Sequence, residues 1–85
     1  MVIRVTNINH AELSENIEEV GTLYTFLVEE ESTGVLSEGE EYVLFIPAYS
    51  SYALIKDSVY EVDLGYRKRE EYSFVLKGYY GETGR

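Results

Sequence analysis

EYVLFIPAYSSYALIKDSVYEVDLGYRKREEYSFVLKGYY, residues 41–80, is a run of strand-forming residues cut by three turn signals. The interruptions are Tyr49-Ser50-Ser51, then Lys56-Asp57-Ser58, then Gly65 with the charged residues 67–71 after it. Between them lie short apolar runs rich in Val, Ile, Tyr, Phe and Leu. Runs of about four to eight residues bounded by turn residues are strands rather than helices. β-Branched and aromatic side chains pack well on a pleated sheet and lose rotamer freedom in a helix.

Alternation assigns the faces. Tyr60, Val62 and Leu64 share one side of residues 59–64, and Tyr72, Phe74 and Leu76 share one side of residues 72–77. Successive side chains of a strand point to opposite faces, so the two segments read as half-buried antiparallel partners. Residues 65–71 join them as a hairpin loop and hold Arg67, Lys68 and Arg69, the only cluster of bases in the chain. Val43, Leu44, Phe45 and Ile46 are apolar on both faces, which predicts a central strand over residues 42–48. Pro47 has no N–H for a ladder, so pairing is expected to stop or bulge there.

The first half adds further elements. Residues 2–8 (VIRVTNI) read as a short strand. Over residues 9–20 the period changes, with Leu13, Ile17 and Val20 on one helical face. With Asn9 as N-cap and Gly21 as the stop, this predicts one short helix near residues 10–20. Residues 22–30 (TLYTFLVEE) read as a strand. Glu29, Glu30 and Glu31, then Glu38, Glu40 and Glu41, flank one loop and are expected at one end of the molecule. Gly78, Gly81 and Gly84 predict fraying after Tyr80. The fold expected is mainly β: a small antiparallel barrel or curved sheet of five to six strands with one short helix, in a single domain over residues 1–85. In strand count and size the pattern resembles small barrels such as OB and SH3-like domains. A helix after the first strand departs from the OB plan, in which the helix lies between the third and fourth strands.

Bulk properties narrow the function. A chain of 85 residues hides about 60–65% of its unfolded surface, enough for one modest core. The absence of cysteine excludes disulfides, a thiolate nucleophile and a zinc–thiolate site, and fits a reducing compartment. No apolar run approaches the length of a membrane span, and the N-terminus lacks a signal-peptide segment. The expected setting is cytoplasmic (the host cytoplasm if the chain is viral), with no membrane partner. Abundant Glu with few thermolabile residues is a thermophile-like bias. The net charge of −9 is uneven: residues 1–50 hold ten Glu and one base, Arg4, while residues 51–85 hold six acids and six bases. Such asymmetry argues that the two halves meet different surroundings.

No catalytic set emerges. The only histidine, His10, has no Ser or Asp partner at an informative spacing, and no Gly-rich phosphate loop occurs. The glutamates match no EF-hand loop. The expectation is therefore a non-enzymatic protein without metal or cofactor. Nine tyrosines remain. Tyr24, Tyr42, Tyr60 and Tyr72 fall in strands and are expected in the core; Tyr49, Tyr52, Tyr66, Tyr79 and Tyr80 flank turns or ends and are expected at the surface. Exposed tyrosines serve protein interfaces, and they stack on single-stranded bases above a basic groove.

Charge ranks the readings. First stands an acidic protein-binding module that docks on a basic protein through Glu29, Glu30, Glu31, Glu38, Glu40 and Glu41 with Tyr49 and Tyr52, steered by charge. Its sharpest form is a viral or mobile-element inhibitor that mimics nucleic-acid charge. Second stands a small barrel binding single-stranded nucleic acid through Tyr66, Arg67, Lys68 and Arg69 with Tyr49 and Tyr52; the net charge disfavours it, because phosphates are neutralised by Lys and Arg. Third stands a homo-oligomeric structural subunit that adds an edge strand to a homodimer or larger assembly.

Overall fold

Five strands form, within the five to six expected, and they close on themselves. The computed structural model describes residues 1–13 and 19–83. Its strands are β1 (Val2–Glu12), β2 (Val20–Glu30), β3 (Glu41–Pro47), β4 (Val59–Tyr66) and β5 (Phe74–Glu82). Around the barrel they run β1-β2-β3-β5-β4. Four seams are antiparallel. The fifth, β3 to β5, is parallel and pairs only Leu44 with Phe74 and Phe45 with Val75. The expected small, mainly β barrel is therefore what forms, with five strands in one closed sheet.

The helix near residues 10–20 is not what forms at its start. β1 continues to Glu12, with Asn9 paired to Leu23, Ala11 to Gly21 and Glu12 to Val20. Asn9 is therefore a ladder residue and not an N-cap. The reason is tertiary: Ala11 is buried against the cluster of Phe45 and Tyr72, and isolated helices this short are marginal in water without packing. The middle of the expected helix, residues 14–18, lies outside the described residues. Gly21 is no helix stop either. A Cβ at Gly21 would lie 2.3 Å from the Ile46 carbonyl oxygen and 2.8 Å from Pro47 Cα, so the glycine is what lets β3 approach β2.

Other boundaries shift modestly. β3 ends on Pro47, as its missing N–H predicts. The β4–β5 loop spans residues 67–73, so Tyr72 is not in the strand; its ring stacks on Phe45 at 5.0 Å, on the outer face of the barrel. β5 does not fray after Tyr80: Glu82 pairs with Tyr60, and Thr83 N donates to Val59 O at 2.9 Å.

Inside the ring, Ile3, Val5, Phe26, Val28, Leu44 and Val62 are fully buried. Leu36, from the β2–β3 loop, and Leu54, from the β3–β4 loop, join this core from the two ends of β3. The OB plan closes one end with a helix between the third and fourth strands; here residues 48–58 contain none. Two core tyrosines hold that loop instead. Tyr24 Oη accepts the Leu54 N–H at 3.1 Å, and Tyr60 Oη accepts the Ile55 N–H at 2.8 Å.

Candidate functional site

A cleft opens where the parallel seam stops. After Phe45, β3 runs two more residues and turns away; after Val75, β5 follows β4 through a bulge at Lys77. The gap has a volume of about 340 Å³, at the small end of the range for ligand sites. Its walls carry Tyr49, Tyr52, Tyr79, Arg67 and Lys77, and among the described residues no carboxylate lines it.

Each wall residue is placed by a local cause. Tyr79 packs against Tyr60 with ring centroids 5.9 Å apart and meets Tyr52 at 4.9 Å, 36° between planes. Tyr49, at the start of the tethered loop, is 73% exposed. The Lys77 stem lies across Gly65, where a Cβ would come 2.6 Å from Lys77 Cε; the glycine seats the lysine. Arg67 reaches toward the β1–β2 end of the barrel, with Nη2 3.7 Å from Glu19 Oε1. The result is an aromatic floor with two cations beside it. That arrangement can stack a flat ring and neutralise an anion attached to it.

The structure splits the residues expected to bind nucleic acid. Tyr49, Tyr52 and Arg67 share the cleft. Tyr66 does not join them. It packs edge-on against Phe74 at 5.7 Å and borders a separate hollow with Glu31 and Leu36. Tyr66 ends β4 and Arg67 begins the 67–73 loop, and the two side chains line separate hollows. Lys68 and Arg69 are exposed on the 67–73 loop together with Glu70 and Glu71. Lys77 and Tyr79 were not among the residues chosen for this site, although Lys77 is one of the few bases open to phosphates and Tyr79 one of the tyrosines expected at the surface.

The six glutamates do lie at one end, around the β2–β3 loop, and four of them hold that end together. Glu29 Oε1 accepts from Arg4 Nε at 2.8 Å, and Glu41 Oε2 accepts from Thr6 Oγ1 at 2.8 Å. Glu38 Oε2 accepts the Glu31 N–H at 3.0 Å. Glu31 itself takes the Thr33 hydroxyl at 2.6 Å and the N–H groups of Thr33, Val35 and Leu36 at 2.9, 3.1 and 3.1 Å. Glu30, Glu31, Glu38 and Glu61 border one shallow depression, and Glu40 is exposed nearby.

Hydrogen bonds from Thr33 and Leu36 hold the Glu31 carboxyl down at about 2, against an ordinary 4.5. The folded-state value is the lower one, so the carboxylate stabilises the loop fully above pH 4.5 and loses that effect as pH falls through about 2. An NMR titration of the Glu31 carboxyl carbon should show its midpoint near 2. Glu31→Gln should abolish this dependence and speed amide exchange at Leu36. A midpoint at the ordinary carboxylate value would mean that the cap does not form in solution.

Comparison with protein-family models, with curated proteins and with solved structures finds no match. Among the described residues, no helix is long and apolar enough to cross a membrane, and no three His, Asp or Glu side chains gather as metal ligands.

Proposed function

We propose that the chain is a non-enzymatic binding module that holds single-stranded nucleic acid in the β3–β5 cleft. One observation carries the reading: in a chain of net charge −9, the described cleft walls combine three tyrosines with Arg67 and Lys77 and include no acid. A base stacks on Tyr49 or on the Tyr52–Tyr79 pair, and the adjoining phosphates meet Arg67 and Lys77. Base stacking on an aromatic ring contributes about 1–3 kcal/mol. It is insensitive to the net field, which is what a binder with an acidic remainder needs. The lack of cysteine supports a cytoplasmic setting for this activity.

The test is fluorescence anisotropy with labelled oligothymidine at about 20 mM and about 200 mM salt. Two neutralised phosphates on a single strand give a log–log slope of about −1.4, so affinity should fall about 25-fold between the two conditions. Tyr49→Ala should weaken binding about 5- to 150-fold. Lys68→Ala, outside the cleft, should change it little. Parent-like affinity in both Tyr49→Ala and Arg67→Ala would retire the proposal.

A second reading rests on the depression bordered by Glu30, Glu31, Glu38 and Glu61. It supports docking of a basic protein on the acidic end, as a charge-mimicking inhibitor of viral or mobile-element type would do. No oligothymidine binding at low salt, together with capture of a basic protein that Glu40→Lys/Glu61→Lys loses, would favour it.

A further inference from the structure

The parallel seam ends for a reason that lies in the backbone. Two bonds fix which way β3 faces. Ala48 N donates to Val20 O at 2.8 Å, toward β2, and Ser73 N donates to Val43 O at 3.2 Å, on the other side. Backbone groups alternate sides along a strand, so Ile46 and Ala48 face β2, while Val43, Phe45 and Pro47 face β5. A third bond does the same for β5. Arg67 N donates to Ser73 O at 2.8 Å, toward β4. Val75, paired with Gly65, therefore faces β4, and Phe74 and Leu76 face β3.

With Leu44 paired to Phe74 and Phe45 to Val75, the ladder runs from Phe74 O to Phe45 N and from Phe45 O to Leu76 N. The next bond would go from the N–H of residue 47 to Leu76 O. Residue 47 is proline and has no N–H to give. Its own carbonyl is taken by the turn, through Ser50 N at 3.0 Å. Among the described residues no side chain or loop N–H donates to Leu76 O. Leu76 and Pro47 both line the cleft, so its wall holds a carbonyl oxygen that the fold leaves open.

We propose that Leu76 O reads the edge of the base held in this cleft, and that the site takes an amino-bearing base ahead of thymine or uracil. The inference rests on the nucleic-acid reading and adds to it the class of base.

The other polar groups of the wall do not choose the base. Arg67 and Lys77 answer to phosphates, and the hydroxyls of Tyr49, Ser50, Tyr52 and Tyr79 can each donate or accept. A backbone carbonyl only accepts. The exocyclic amino group of cytosine or adenine stands at a corner of the ring and presents its N–H outward. Thymine and uracil hold their one free ring N–H between two carbonyl oxygens. Bringing that N–H to Leu76 O sets oxygen lone pairs against one another. Pro47 is then a positioning residue: by withholding an N–H from the seam it keeps the carbonyl for the ligand.

Anisotropy with labelled oligodeoxycytidine and oligodeoxyuridine of equal length, at one low salt, tests it. The two rings match in size and neither carries a methyl, so stacking and phosphate contacts nearly cancel between them. The cytidine strand should bind about 2- to 13-fold tighter, which is the effect of one net hydrogen bond. The carbonyl-carbon resonance of Leu76 should shift when the cytidine strand is added and stay near its free position with the uridine strand. Pro47→Ala returns an N–H to the seam. It should keep the parent circular dichroism and bind the two strands within about 2-fold of each other. The Leu76 resonance of the parent decides the matter if Pro47→Ala does not fold. Equal binding of both strands by the parent, a Leu76 resonance unmoved by the cytidine strand, or the full preference in a folded Pro47→Ala would overturn this inference and leave the nucleic-acid reading standing. Binding of neither strand would overturn both.

Discussion

Gly21→Ala is expected to remove about 3 kcal/mol or more of folding stability, a quarter or more of the total. The added methyl would meet Ile46 O at 2.3 Å, Pro47 Cα at 2.8 Å and Phe45 Cε1 at 2.9 Å. Two of the three neighbours are backbone, so no rotamer change relieves them. β3 must move off β2, and it takes with it the Gly21–Pro47 and Thr22–Ile46 pairs and the Phe45–Tyr72 stack. Overpacking costs about 1–3 kcal/mol where side chains can yield, and more where they cannot; about 3 kcal/mol or more is expected here. A domain of 85 residues has about 4–13 kcal/mol in total. Urea unfolding followed by circular dichroism gives the result directly. A midpoint within about 0.5 M of the parent would show that β2 and β3 are not as close in solution. The variant should also lose the cleft, because Pro47 and Tyr49 follow β3.

Phe26→Ala is the second large loss. Phe26 is fully buried at the centre of the ring. It lies 6.0 Å from Tyr42 and 6.2 Å from Phe74, which are 5.7 Å from each other, so the three rings form one cluster. Removing one member leaves a void that the barrel cannot close, since each wall strand is held in register by its neighbours. Phe→Ala changes in such cores cost about 3–5 kcal/mol. For a domain of this size that lowers Tm by about 12–40 °C. A loss under about 2 kcal/mol would mean that Tyr42 and Phe74 move into the space.

Period-two patterning made β3 and β4 legible because each obeys it locally: Tyr60, Val62 and Leu64 do face the core, and Leu44, Phe45 and Ile46 are buried on both sides of a central strand; it failed ahead of β5, where Tyr72 packs with Phe45 outside the ring while Phe74 lies in the core. It misled at residues 9–12. Leu13 and Val20 fit a helical face, yet Val20 pairs with Glu12 across the β1–β2 ladder and Leu13 N donates to Glu19 O. A local period cannot separate the two when the deciding contact, Ala11 on Phe45, is with a residue more than thirty positions away. The cleft was out of reach for the same reason. Tyr49, Tyr52 and Arg67 were visible one by one, but only the placement of β5 beside β3 brings them together with Lys77 and Tyr79. The separation of Tyr66 from Arg67 was out of reach as well, because residues 65–71 read as one loop.

The parallel seam has one more consequence. It joins residues thirty apart with two residue pairs, while every other seam pairs three or more. Long-range closures with few bonds form late in folding and open early in the native state. The place where a ligand would lie is thus also the clasp of the ring. Whatever bridges Tyr52 and Lys77 across it closes the clasp, and the gain grows with the logarithm of the ligand concentration above its Kd. A ligand held there would set the tightness of the hoop from outside.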